Sequence, residues 1–445
     1  MNKYNKAVEK NRELILKAHE YIWANPETGY KEVKTSKYLE DAFENLGYEL
    51  VKAGNIPGFY TVLDTGRQGP EVLVLGELDS LMCTEHPDAD PKTGAVHCCG
   101  HSAQASALLG LAAALKEPGI LDEMSGRIRL CAVPAEELIE IDYRTSLKNE
   151  GIIKYLEGKP EFLYRGYFDG VDVAFMVHTT NIETFAIRKG SVGAVAKTVV
   201  YKGVSSHAGG SPWNGRNALY AATQGLSAVN AIRETFNESD LIRVHPIITQ
   251  GGTAVNAIPD TVTIESYTRG SNFDAILDAD KKVDRALCGG ALSLGTNIEI
   301  INIPAFAPLR NSDGMMDVAE EAAKVAVPEL GISRTNAIGT GSTDMGDLSM
   351  VMPVVHPYMP GATGRSHGSN YYISNPELAC VGSAKWQLNM LYLLLKDGGE
   401  RAKTIADNFT PEFESKEAYF EYIDKIYTEG NRIEYKEDET ATVKF

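Results

Sequence analysis

The chain has 445 residues, 43% of them hydrophobic and 23% charged, with a net charge of -17. That length exceeds one ordinary core and predicts two domains, while the acidic balance argues against a nucleic acid or an anionic membrane as partner, since nothing offsets phosphate repulsion. No apolar run reaches membrane-spanning length, and the charged, helix-periodic opening "MNKYNKAVEKNRELILKAHEYIW" lacks the apolar core of a signal peptide, so a cytoplasmic location is expected.

The opening helix leads through "NPETGY" to a second helix over residues 31–46. Strands are predicted at 59–64 and 72–76 around the turn "TGRQGPE", and a small-residue helix at 102–116. Further strands at 127–133 and 171–177 give an α/β layer with a mainly parallel sheet. The middle of the chain changes rhythm. A strand at 194–201, a helix at 216–236, strands at 241–249 and 261–269, a helix at 272–294 and a strand at 297–303 make a ferredoxin-like βαββαβ unit. Residues 190–303 therefore read as a domain inserted into a discontinuous one of residues 1–189 and 304–399. An amphipathic helix is expected over 376–396, and a helical, polar tail over 400–445.

Loops beyond the carboxyl ends of strands collect functional residues in such sheets. "ELDSL" offers Glu77 and Asp79, "PAEE" offers Glu136 and Glu137, and one strand runs straight into His178. In "VHCCGHS" two histidines and two cysteines fall within five positions, and simple alternation would put His97, Cys99 and His101 on one side. Thiolate, imidazole and carboxylate together suit zinc, manganese or another transition ion. One glutamate of "PAEE" can then hold metal while its neighbour moves protons. Six cysteines, two of them adjacent, do not form a disulfide framework in a chain this long. "SSHAGGSPWNGRNAL" presents His207 as a donor to a developing oxyanion, "GGTAVNAIPD" carries Asn256 ahead of a strand ending at Arg269, and "GATGRSHGS" sets His367 among glycines.

Taken in order, these motifs resemble the aminoacylase/carboxypeptidase superfamily of dimetal amidohydrolases, in its aminoacyl-amidase branch. "IWANPETGYKE", "GNIPGFY" and "GSTDMGD" look most like the aminobenzoyl-glutamate hydrolases, and the resemblance runs from about residue 15 to residue 396. It implies a catalytic domain with two divalent metal ions per chain, zinc or manganese, and an inserted lid that forms a homodimer. Matched by position, Cys99, His101, Glu137, His178 and His367 are the metal ligands, with Cys99 bridging. Glu136 matches the general base, His207 the lid histidine that often reaches the partner subunit, Asn256 and Arg269 the groups holding a substrate carboxylate, and Asp79 an orienter of a metal-bound histidine. His97 is left as a packing or supporting residue and Cys98 as a buried free thiol. Departures lie at "LDSLM", Ser102, "TEHPDADPKTGAV" and "ELIEIDYRT". The implied activity is hydrolysis of the amide of a small N-acyl amino acid or dipeptide-like substrate, such as one resembling aminobenzoyl-glutamate. The rival is a metal-binding scaffold without catalysis, against which the presence of both Glu136 and His207 speaks.

Overall fold

The computed structural model describes residues 2–438 and 440–445. The chain divides into two compact units. The first holds the residues up to Gly190 together with Leu309–Ile338 and Thr343–Lys416. The second holds Ser191–Pro308, Gly339–Ser342 and the residues from Glu417 onward.

The first unit is built on a six-stranded sheet in the order Val51–Lys52, Phe59–Asp64, Arg127–Val133, Glu71–Glu77, Val173–Phe175, Val354–Val355. The last four strands are parallel and the first two join antiparallel at the edge. Every residue of Glu71–Glu77 is buried, as a central strand covered on both faces requires. The helix His101–Leu115 is buried at all 15 positions. Its alanine- and glycine-rich sequence lets neighbours close in: a β-carbon on Gly110 would stand 2.4 Å from Ile15 Cδ1. A helix apolar all round belongs inside a core.

Two helices differ from the periodicity. The first is broken at Asn11 into Lys3–Lys10 and Arg12–Trp23. The helix expected to be amphipathic opens with a π-turn at Glu377–Gly382 and continues as Ser383–Leu395, buried almost all round. It lies between His101–Leu115 and Asp313–Ala326, and Trp386 donates its ring N–H to the Ala319 carbonyl at 2.8 Å.

The second unit has an antiparallel sheet in the order Arg243–Val244, Thr261–Gly270, Gly193–Lys202, Asn297–Phe306, Thr428–Asn431, with Ile247–Gln250 also paired to Thr261–Gly270. Burial alternates strictly along Thr261–Gly270, so one face is covered, and the helices Ala218–Ala231 and Phe273–Leu294 pack on this sheet. Lys197 is buried there against Asp280 at 3.2 Å, Asp284 and Asn302. The expected strand at 241–249 is two pieces, and the expected helix at 216–236 ends at Ala231. Nor is the tail a region apart. The helix Glu400–Asp407 belongs to the first unit, whereas Thr428–Asn431 adds a strand to the second and Ile433 enters its core.

Candidate metal centre

The four parallel strands of the six-stranded sheet run out, at their carboxyl ends, into polar side chains. Glu71–Glu77 delivers Glu77 and Asp79, Arg127–Val133 leads to Glu136 and Glu137, Val173–Phe175 to His178, and Val354–Val355 to His356. Gly100 closes the "HCCGH" loop onto the helix His101–Leu115 with φ +96°, and a β-carbon there would meet Tyr371 Oη at 2.4 Å, so only glycine serves.

These segments bring Cys99, His101 and His178 together as one set of donor atoms, Cys99, Glu137 and His367 as a second, and Glu77, His101 and Glu136 as a third, each set lying within 4.8 Å of itself; the first two share Cys99. His178 Nε2 stands 3.5 Å from the Cys99 sulfur, and His367 Nε2 is 3.1 Å from Glu137 Oε1. His101 Nδ1 lies 3.0 Å from both the carbonyl and the carboxylate of Asp79, and His178 Nδ1 lies 2.7 Å from the Thr179 carbonyl. With Nδ1–H donating to those oxygens, both rings turn an Nε2 lone pair inward. The other Asp79 oxygen accepts the Glu137 backbone N–H at 2.8 Å, so one aspartate orients two ligand segments.

The donors fit a pair of divalent cations. His101 Nε2 and Glu137 Oε1 are buried and make no aligned hydrogen bond, although Glu77 Oε2 and His367 Nε2 each stand 3.1 Å from them, a crowding of lone-pair donors that a bound cation would relieve. Burial and the charge of Glu137 push the Cys99 thiol up, yet His101 and His178 prevail and bring it down to about 6, which favours the thiolate. Cys98 differs: it is fully buried, and burial together with neighbouring thiols pushes it up to about 12. His97 is buried with neither ring nitrogen hydrogen-bonded, and burial lowers it to about 3. His367 has φ +63°, a left-handed backbone unusual outside glycine, and its N–H is tied to the Cys98 carbonyl at 2.9 Å. Glu136 sits beside the ligands with one oxygen 3.9 Å from His101 Nε2. Burial, then the charges of Glu77, Glu137 and Asp344, hold its carboxyl well above the usual carboxylate range.

A family model for peptidase family M20/M25/M40 matches residues 73–387, a span that takes in every donor named above. The chain belongs to this peptidase family. Its members are hydrolases of amide bonds. The chain is 30% identical to the indole-3-acetyl-aspartic acid hydrolase of Enterobacter agglomerans, over 65% of each chain. It is 27% identical to one of the subunits of the p-aminobenzoyl-glutamate hydrolase of Escherichia coli, over 66% of this chain and 58% of that one. Each match thus spans less than two thirds of the relative's length. Among solved structures, a dinuclear metal-binding peptidase of family M20 from Bacillus subtilis superposes with a TM-score of 0.65 at 20% identity, covering 87% of this chain and 99% of the other. At that identity the likeness establishes the shared α/β fold.

Several residues of the centre were offered by the sequence without a task, or were missed. Glu77 is fully buried with its Oε2 3.1 Å from His101 Nε2, and it accepts from Lys159 at 2.5 Å and from Gln104 at 2.8 Å. Lys159, also fully buried, bridges Glu77 to Asp344. His356 lies 5.6 Å from the His178 ring and 5.0 Å from the Tyr358 ring. The strand-end rule that singles out His178 would have found His356 too. Nothing in "EGKPEF" marks Lys159, because its partners lie 82 and 185 residues away.

In the second unit the family's polar loops meet. Ala208 N–H donates to the Asn256 carbonyl at 2.9 Å, and His207 bridges to Ala257. His207 Nδ1 accepts from the Gly209 and Gly210 N–H groups at 3.1 and 2.9 Å, so the neutral ring carries its proton on Nε2, an outward donor. Arg269 is not beside them. It pairs with Ala194, whereas the loops follow Lys202, eight residues along the same strand and about 26 Å away. Asn256 and Arg269, both matched to positions that hold a substrate carboxylate, thus stand at opposite ends of the sheet within one chain.

Proposed function

We propose that the chain hydrolyses the amide of a small N-acyl amino acid or dipeptide-like substrate carrying a carboxylate, of the aminobenzoyl-glutamate kind. The observation that carries this reading is the Cys99 sulfur shared by two donor sets, with the Glu136 carboxyl beside them and outside both. Cys99, His101 and His178 would hold one divalent ion, zinc or manganese, and Cys99, Glu137 and His367 the other. Bound there, the ions would supply an acidified water and polarise the scissile carbonyl. Glu136 takes the proton from the attacking water and passes it to the amine that leaves. Asp79 fixes the ring of His101 and the backbone of Glu137. His207, with its Nε2–H turned outward, donates to the oxygen that gathers charge. Asn256 and Arg269 hold the substrate carboxylate. Their separation, at opposite ends of one sheet, supports assigning His207 and Asn256 to a second copy of the chain in a homodimer. The names of the two relatives support the substrate class, since both act on acylated amino acids bearing a second carboxylate.

The test is a hydrolysis screen of N-acyl amino acids, aminobenzoyl-glutamate included, with the metal content of the same sample measured. Turnover with two ions per chain is expected. A chain that holds two ions and cleaves nothing across the panel would overturn the reading.

A further inference from the structure

Two stretches remain without a task in that reading, "NPETGYKE" near the N-terminus and "ELIEIDYRT" after the "PAEE" turn. They meet beneath the turn that carries Glu136 and Glu137. Within it Ala135 has φ +56°, a left-handed backbone that a β-carbon disfavours. Such a conformation persists only where its surroundings impose it. Here both sides of the residue are held. The Ala135 N–H donates to Glu32 Oε1 at 2.8 Å, and its carbonyl accepts from Arg144 Nη1 at 3.5 Å and from the Gly158 N–H at 3.1 Å. The same guanidinium donates to the Glu137 carbonyl through Nη2, and to the Leu156 carbonyl at 2.8 Å.

Glu32 and Arg144 are both 0% exposed. A buried guanidinium gives up its hydration and must be compensated by hydrogen bonds. This one directs its hydrogen bonds at the backbone of a single turn and its neighbour, and the buried carboxylates of Glu32 and Glu157 lie near enough to feel its charge. The N-terminal segment closes over it because residue 29 is glycine. A β-carbon there would stand 2.3 Å from Arg144 Nη2 and 2.9 Å from Ala135 Cα. The segment is pinned on either side. The Ser80 N–H donates to the Glu27 carbonyl at 2.8 Å, next to Asp79, and Lys31 meets Glu140 at 2.6 Å.

We propose that Glu32 and Arg144 are positioning residues, a clamp that fixes the Ala135 turn and so aims the Glu136 carboxylate and the Glu137 ligand together. The proposal rests on Glu136 being the proton carrier and Glu137 a metal ligand. Holding both to one geometry matters because a displacement of about 1 Å at a reacting group costs about a hundredfold in rate.

The full-length protein carrying Arg144→Met, Arg144→Lys or Glu32→Met tests it, with kcat, KM, zinc affinity and melting temperature measured on each. Arg144→Met is expected to lose about a hundredfold in kcat with KM little changed, and to bind zinc about 10- to 100-fold more weakly. Arg144→Lys keeps the charge but cannot fork onto several carbonyls, so it recovers the melting temperature and not the rate. Glu32→Met keeps much of the volume and removes the acceptor of the Ala135 N–H, and shows the same pattern in smaller measure. A folded Arg144→Lys and a folded Glu32→Met with wild-type kcat and zinc affinity would overturn the proposal. Should Arg144→Met fail to fold, those two variants decide it. Should the wild type cleave nothing in the screen, the functional reading fails on its own account. Zinc affinity still judges the clamp, and an unchanged value in Arg144→Lys sinks it.

Discussion

Cys98 and Cys99 are adjacent in the chain and opposite in chemistry. Cys99 lies among imidazoles that favour its thiolate, whereas Cys98 faces a dry interior that keeps its proton. Cys98→Ser is expected to leave the metal content of the purified protein intact and Cys99→Ser to lower it, as elemental analysis of the two variants would show. Equal loss in both would mean that the ligand is wrongly chosen. A second residue reports on pH. His19 is buried, and burial lowers its pKa to about 4 from the ordinary 6.5. Between those values the unfolded chain binds a proton that the folded chain refuses. Stability from this group is therefore intact above about pH 6.5 and falls as the pH drops towards 4, by on the order of 3 kcal/mol. Urea unfolding at pH 7 and pH 5 checks this, since the loss should shrink in His19→Leu.

At the scale of elements, strong periodicity and strand-end logic carried far. Arg127–Val133 coincides with its expected bounds, and the motifs after three strands lead to the donors that converge. What stayed hidden depends on distance along the chain. "TEGN" is polar and contains glycine, so nothing local marks it as a strand; it becomes one because Asn297–Phe306 offers an edge. Arg144 looks like any surface arginine in "IDYRT", and only the fold places it under the Ala135 turn. The helix Ser383–Leu395 reads as amphipathic because Lys385, Gln387 and Asn389 are polar, yet Asn389 is buried and donates to Asn5 at 2.8 Å, a partner 384 residues away. The added strand makes a prediction at this scale. Removing residues 417–445 bares one edge of the second unit's sheet and takes Ile433 out of its core. The second unit should lose at least about 2 kcal/mol, the worth of one buried isoleucine. It should also self-associate through the exposed edge, which light scattering during thermal unfolding would register. A truncated protein as stable and as monodisperse as the parent would contradict this.

At the scale of the whole molecule, the proposed reaction would draw on two chains. If His207 serves the site of a partner subunit, Glu136→Ala and His207→Ala chains are each inactive alone, yet a mixed dimer holds one site with both residues intact. Reassorting equal amounts should restore about a quarter of wild-type activity, since half the dimers are mixed and each has one complete site. No recovery on mixing, with subunit exchange confirmed, would place His207 in the site of its own chain or in none.

The strand Thr428–Asn431 also has a consequence in time. Its pairing partner Asn297–Phe306 leaves the ribosome some 120 residues earlier. At about 5–20 residues per second, that edge waits about 6–25 s during synthesis before its neighbour exists. The nascent second unit spends that interval with the edge of Asn297–Phe306 unpaired, a row of free backbone groups open to other strands.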